Sequence, residues 1–382
     1  MKALAWLKEI SGEKAAAAGV FAALVFIPVF IFSGRLAARE ISRYYALAWS
    51  LFAAGTAFAI SCTGRVSFYR RLFFSVSALA FLFHFKLGLV NNIFWPASFK
   101  AAPFCHIAMA PYFLGYLYQQ YLAFMSGGWK LWGPLTLGAA WLFVTLAIGR
   151  GWCSWACFYG GIDDGLSAVA RRPLIKFGGW VFKLRDLPAA LLVFLLLASL
   201  AYMLPVYCLW LCPFKLTEGF MDGETSVRRV QYALMLFALA ALVIGPLLTK
   251  KRIFCSFLCP FAAWQAFWGR LNPFRITADQ GKCTGCMNCA RSCPMTAIKD
   301  GPGGKAAITA YCNLCGQCLG ACPQGGISYT VVGAAFPEAG GILGRLFSAG
   351  YLFVFSALTL GAVFSSLWAP AAIRDAVKLI LR

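Results

Sequence analysis

The sequence of 382 residues is 61% hydrophobic and 12% charged, and its 34 Lys and Arg against 13 Asp and Glu give a formal charge of +21. A mean hydropathy of +0.74 excludes an ordinary soluble globular domain and makes lipid the main solvent of the chain. The excess charge does not point to nucleic acid, because the basic residues stand in short loops beside apolar runs, where anionic headgroups and topology account for them.

Apolar runs at 15–32, 44–62, 72–90, 104–125, 131–149, 189–212, 230–249 and 349–369 each approach the roughly 20 residues that cross hydrocarbon as a helix. About eight spans are therefore expected. The first run lacks a small-residue cleavage site and is followed by further spans, so it is expected to be retained as an anchor. The 104–125 run contains Pro111, Gln119 and Gln120 and follows Pro103. It is expected to be broken or re-entrant, since helix breakers at membrane depth need protein or water cover.

The loop at 150–188 carries Arg150, Arg171, Arg172, Lys176, Lys183 and Arg185, which places it in the cytoplasm by the positive-inside rule. Two spans later come Lys250, Lys251, Arg252 and a window at 270–345 rich in Gly, Asp, Asn and Cys, expected on the same side. Counting back through five spans puts the N-terminus outside, whereas Lys2, Lys8, Lys14 and the basic loop at 63–71 favour the inside. An early segment that does not cross would reconcile them. The organisation expected is a membrane bundle at 1–269, an extramembrane domain at 270–345, and a last helix with the basic tail Arg374, Lys378 and Arg382 at 346–382.

Within that window, CTGCMNCARSCP at 283–294 and CNLCGQCLGACP at 312–323 repeat C-x2-C-x2-C-x3-C-P. Three closely spaced thiolates grip one cubane and the fourth reaches the neighbouring one. Cys283, Cys286, Cys289 and Cys322 are thus expected to hold one [4Fe-4S] cluster, and Cys312, Cys315, Cys318 and Cys293 the other. Structural zinc is disfavoured by the repeated C-x3-C-P ending, and disulfides by a cytoplasmic location. The fold class expected is an α-helical integral membrane bundle with an inserted bacterial-type 2[4Fe-4S] ferredoxin-like α+β domain, in the inner membrane with the ferredoxin domain cytoplasmic.

Six further cysteines form C-x3-C pairs in CSWACFYGG at 153–161, CLWLCP at 208–213 and CSFLCPFAAWQ at 255–265. The first and third resemble the helix-end signatures of the NapH/NosR-type membrane ferredoxins, a group that includes relatives of the CcoG type, over about 140–330. The resemblance implies a polytopic protein passing electrons across or along the membrane. Cys255, Cys259 and Pro260 match the signature fully, whereas Phe158 replaces the proline after Cys153 and Cys157. The CLWLCP element is additional, and, unlike in the NosR type, no flavin-attachment domain is expected before the helices.

Cysteines four apart on a helix share one face. Cys153, Cys157, Cys255 and Cys259 are candidate ligands of a further metal or iron–sulfur centre, with a redox disulfide and simple apolar packing left open. Cys208 and Cys212, one span away, are expected on the opposite side as an outer metal or disulfide station. Cys62 and Cys105 read as packing thiols. His84 and His106 are intramembrane candidates for quinone or haem, although satisfied packing is the plainer reading. Asp163 and Asp164 read as solvated acids at a helix start. The functional expectation is an electron relay between a quinol pool or cytoplasmic donor and a redox partner, in contact with membrane lipid. A metal-ion (copper) reductase or metallocentre assembly factor of the CcoG kind is the alternative, and the sequence leaves open whether the chain is itself an enzyme.

Overall fold

A computed structural model describes residues 12–37, 43–93, 106–127, 134–176, 179–213, 225–332, 344 and 346–381. Helices α1 (Gly12–Ala37), α2 (Arg43–Thr63) and α3 (Val66–Ile93) open the bundle. The C-terminal helices α14 (Ala349–Ser365) and α15 (Ala369–Ile380) return to pack against them. Polar pins set the register: Trp49 Nε1 donates to Ala362 O at 3.0 Å, the Ser77 and Ser365 hydroxyls lie 2.6 Å apart, and Trp368 Nε1 donates to Ser77 O at 3.0 Å. Lipid tails are as apolar as the side chains, so packing and such interhelical hydrogen bonds must hold helices together.

By length and composition, five helical segments among the described residues suit a membrane span: Gly12–Arg35, Arg43–Thr63, Val66–His84, Lys183–Tyr202 and Thr225–Thr249. The pair α14 and α15, bent by 53°, makes a sixth if counted as one span. The remaining runs are interrupted for local reasons. The run at 104–125 is divided around Pro111 into α4 (His106–Met109) and α5 (Phe113–Met125), as its prolines predict. The run at 131–149 yields α6 (Pro134–Ile148), of 15 residues. Helix α9 (Leu187–Tyr202) stops at Met203, which takes a left-handed φ of 52°, and Pro205 follows. The chain turns back there, with Val206 N donating to Ser199 Oγ at 3.3 Å, into the short α10 (Val206–Trp210).

Short elements carry the two outer C-x3-C signatures. Helix α7 (Trp152–Trp155) leads through Cys157 into α8 (Phe158–Val169). Helix α11 (Thr225–Thr249) is followed by a π-helical turn at Phe254–Leu258, and Cys259 leads into α12 (Pro260–Trp268). The ferredoxin-like domain pairs β1 (Phe274–Ala278) antiparallel with β4 (Ile327–Val331), and β2 (Ile298–Asp300) with β3 (Ala306–Ile308), around α13 (Asn288–Ser292). It stands on the bundle through Tyr329, whose ring stacks on Phe353 of α14 at 4.9 Å.

Helix α8 is locked to α3 by charge. Arg70 Nη2 donates to Asp164 Oδ2 at 2.8 Å with both side chains fully buried, and Arg71 Nε reaches the same oxygen at 3.3 Å. Removing one partner strands the other in a low-dielectric interior. Asp164→Ala is expected to lower stability by about 3–5 kcal/mol, and Arg70→Met with Asp164→Leu by clearly less. Denaturant unfolding of the detergent-solubilised chain would compare them.

Candidate redox site

The two ferredoxin loops adopt the same backbone shape. The residue before the second cysteine and the one after it are left-handed in both: Gly285 (φ 71°) and Met287 (φ 53°) around Cys286, Leu314 (φ 57°) and Gly316 (φ 72°) around Cys315. Left-handed residues in a tight loop let backbone N–H groups gather around an anion. Cys283, Cys286, Cys289 and Cys322 line one cavity. Cys293 lies instead with the second loop, since Cys312, Cys315 and Cys293 are near enough to shift the Cys318 thiol. Burial, then Cys315 and Cys293, push the Cys312 thiol up to about 12. In contrast, the Cys283 thiol is lowered by the N–H groups of Ala306 and Gly285 and by Lys305. The structure thus brings together the two crossed sets of four that the spacing predicts, and these donor sets fit cubanes.

The membrane elements grip these loops with basic side chains. Lys251 Nζ donates to Cys293 O at 2.7 Å, Arg252 N to Pro294 O at 2.8 Å, and Arg185 Nη2 to Met295 O at 2.8 Å. Around the second loop, Arg150 Nη1 donates to Ala310 O at 2.6 Å and Ser154 Oγ to Asn313 O at 2.6 Å. Tyr311 lies between the guanidinium groups of Arg150 and Arg185, 5.2 and 5.1 Å from its ring centroid. Headgroups and topology therefore do not explain all the excess charge.

The C-x3-C pairs meet beneath this grip. Fully buried Arg252 donates from Nη2 to Cys153 O at 2.7 Å and reaches Cys255 Sγ at 3.4 Å, joining the first and third pairs. Gly160 makes room for it, because a Cβ there would stand 2.5 Å from Arg252 Nη2. Burial pushes the Cys255 thiol well above its ordinary pKa; Arg252 opposes this, while Asp163, Cys259 and Cys157 add to it. Cys212 lies 3.2 Å from the hydroxyl of Tyr159, a buried residue of α8 whose ring stacks on Phe254 at 5.2 Å. The expected separation of Cys208 and Cys212 from the other pairs by a membrane width is thus corrected: the turn at Met203 folds this element back toward them. Among the described residues, no three His, Cys, Asp or Glu side chains are placed to hold a single metal ion.

The two histidines do not share a haem. His106 Nε2 lies 2.9 Å from Cys157 Sγ, and His84 Nδ1 lies 3.3 Å from Asp375 Oδ2. Asp163 and Asp164 are not solvated acids but fully buried. Asp163 Oδ2 accepts the Cys255 N–H at 2.9 Å, and burial raises its carboxyl to about 7 despite the charge of Arg252. In Asp164 the charges of Arg70, Arg71 and Arg252 outweigh burial and hold the carboxyl below the usual range. Cys62 is half-buried in α2, and Cys105 lies outside the described residues. Arg150 and Arg252 were missed as site residues. Their signal is present, since each stands three residues before the first cysteine of its pair, an R-x-x-C-x3-C pattern found twice.

Comparison with known proteins finds iron–sulfur domains in both halves of the chain. A 4Fe-4S dicluster domain model matches residues 282–327, and a 4Fe-4S binding domain model matches 131–176, 187–220 and 232–277, one C-x3-C pair in each. The ferredoxin-type protein MauN of methylamine utilization from Methylobacillus flagellatus is 31% identical over 40% of this chain and 50% of its own length. The ferredoxin-type protein NapH of Haemophilus influenzae is 25% identical over 48% of this chain and 63% of its own. The regulatory protein NosR of Pseudomonas aeruginosa is 28% identical over 47% and 25%. The chain is thus similar to ferredoxin-type proteins of the NapH/NosR kind and carries matches to 4Fe-4S binding domains. It spans less than two thirds of the length of each of these relatives, and no solved structure matches it.

Gly316 sits where two constraints meet, because its φ is 72° and a Cβ would stand 2.6 Å from Tyr329 Oη. Gly316→Ala is expected to cost about 1–3 kcal/mol and to lower iron retention by the second loop. Tyr329→Phe in the same chain should recover only part of the loss, since the backbone strain remains. Iron content against temperature would report both.

Proposed function

We propose that this membrane ferredoxin relays electrons between a quinol pool or cytoplasmic donor and a redox partner protein through two [4Fe-4S] clusters and a third thiolate-ligated centre at the C-x3-C pairs. Cys283, Cys286, Cys289 and Cys322 hold one cluster, and Cys312, Cys315, Cys318 and Cys293 hold the other. Each cubane supplies one-electron chemistry when bound. The observation that carries the reading is the arrangement around Arg252, whose backbone donates to Pro294 O and whose side chain reaches Cys153 O and Cys255 Sγ. One residue thus connects the ferredoxin loops to the membrane cysteines.

The chain's own groups prepare this region for negative charge. Arg150 and Arg252 are buried beside Cys153, and buried cations favour thiolate over thiol in surroundings that otherwise oppose ionisation. The Arg70–Asp164 pair anchors α8 so that Cys157 and Asp163 keep their places relative to Cys255. The inner membrane, with the ferredoxin domain in the cytoplasm, is the proposed setting, because Lys and Arg concentrate on the side of that domain.

Anaerobically purified chain is expected to contain about eight irons with matching acid-labile sulfide from the ferredoxin loops, and more when the C-x3-C site is filled. Cys293→Ala is expected to alter the EPR signal of the cluster held by Cys312, Cys315 and Cys318, leaving that of Cys283, Cys286 and Cys289 intact. Stoichiometric zinc in place of iron, or a change confined to the cluster of Cys283, Cys286 and Cys289, would overturn the assignment.

A further inference from the structure

A cavity of about 190 Å³ lies where α12, β1 and the approach to Cys312 meet. Its floor and walls are Ala266 and Gly269 from the end of α12, Phe274 and Ile276 from β1, and Ile308 to Ala310, Cys312 and Leu314 from the ferredoxin loop. Three arginines, Arg150, Arg270 and Arg275, line it together with Asn272, and no carboxylate does. Two of the arginines are structural. Arg275 is turned to main-chain carbonyls including Phe274 O at 2.7 Å and Arg270 O at 2.8 Å, and Arg150 holds Ala310 O and Ala262 O. Arg150 is nevertheless 5% exposed with an Nε that has no partner, and Arg270 is exposed at the rim.

These features define a ligand chemistry. Apolar walls with a few convergent donors suit a ring carrying oxygen acceptors, and the lining offers donors without a carboxylate to bind a cation. The volume is below the roughly 300 Å³ at which pockets begin to enclose a whole drug-sized ligand, so it accommodates a head group whose tail stays outside. The tail has an exit, because Phe267 and Leu271, each one residue beyond a lining residue of α12 or its end, are apolar and 63% exposed. Exposed apolar side chains of this kind offer a surface that an apolar tail can cover.

We infer that this cavity binds the head group of a membrane quinone, with Arg270 donating to a ring oxygen and the isoprenoid tail leaving past Phe267 and Leu271. The inference rests on the proposed quinol-linked relay and gives it a place, beside Cys312 of the second ferredoxin loop and away from His84 and His106. An acidic phospholipid headgroup shares the acceptor-only oxygen chemistry, but would leave the apolar wall of Phe274, Ile276, Ile308 and Leu314 unused.

The test is binding rather than turnover. Full-length chain in nanodiscs, with its iron content verified, is photolabelled with a short-chain azidoquinone and the labelled peptides are mapped. Label is expected within 266–276 or 308–314, competed by decylubiquinone but not by phosphatidylglycerol. Arg270→Gln should weaken labelling about tenfold or more, the loss of one charge-assisted hydrogen bond, and Ala266→Phe, which fills the cavity from α12, should abolish it. Both variants should keep their iron and EPR signals. Label elsewhere, unchanged labelling in both variants, or competition by phosphatidylglycerol as strong as by quinone would overturn the site. Loss of iron–sulfur signals in the unmodified chain would instead sink the relay itself.

Discussion

Burying a cation inside a lipid-solvated bundle is the constraint around which this molecule is arranged. A guanidinium taken out of water must find acceptors or negative charge, because its desolvation is otherwise uncompensated. Arg252 finds the Cys153 carbonyl, the Cys255 sulfur and the charge of Asp164. Arg150 finds Ala310 O and Ala262 O, in reach of the charges of Cys153 and Cys312. Arg150 thereby ties a membrane element to a ferredoxin loop, Arg252 does so through its N–H on Pro294 O, and each guanidinium is most fully compensated when the neighbouring sulfurs are thiolates. The positive charge of the chain is in part the counter-charge of its redox site.

From that constraint the local architecture follows. Helix α8 must approach closely for Arg252 to reach Cys153 O, which Gly160 permits. The π-helical turn at Phe254–Leu258 and the extended Cys259 offer one element to the site where a regular helix would pass it by. π-helical turns inside helices recur at functional sites for this reason. The same logic returns Cys212 to the bundle, through the left-handed Met203 and Pro205, until it meets Tyr159. Three matches to one domain model, each with one C-x3-C pair, describe a repeated unit of helix followed by cysteine turn.

Much of this was legible in the sequence. The C-x2-C-x2-C-x3-C-P spacing is a covalent-geometry signal, short-range and independent of the rest of the fold, so it yields the crossed grouping of Cys293 and Cys322. Membrane character and the break near Pro111 were likewise plain, since hydropathy and helix breakers act locally. What failed were inferences from counting. Treating 189–212 as one span placed Cys208 and Cys212 a membrane width away, because a run of apolar residues does not record a reversal that depends on one left-handed residue. Asp163 and Asp164 looked solvated because their partners, Arg70, Arg71 and the Cys255 N–H, are distant in sequence. The role of Arg150 and Arg252 was hidden by treating every basic residue as a topology marker, although the R-x-x-C-x3-C repeat was there to be read.

A cryo-EM map of the anaerobically purified full chain tests the convergence of the C-x3-C elements most directly. The account predicts Cys212 against Tyr159 in the same buried region as Cys157 and Cys255, with Arg252 between the first and third pairs and the ferredoxin loops resting on it. A map that puts Cys208 and Cys212 at the far membrane surface, about 30 Å of hydrocarbon away from Arg252, would contradict it.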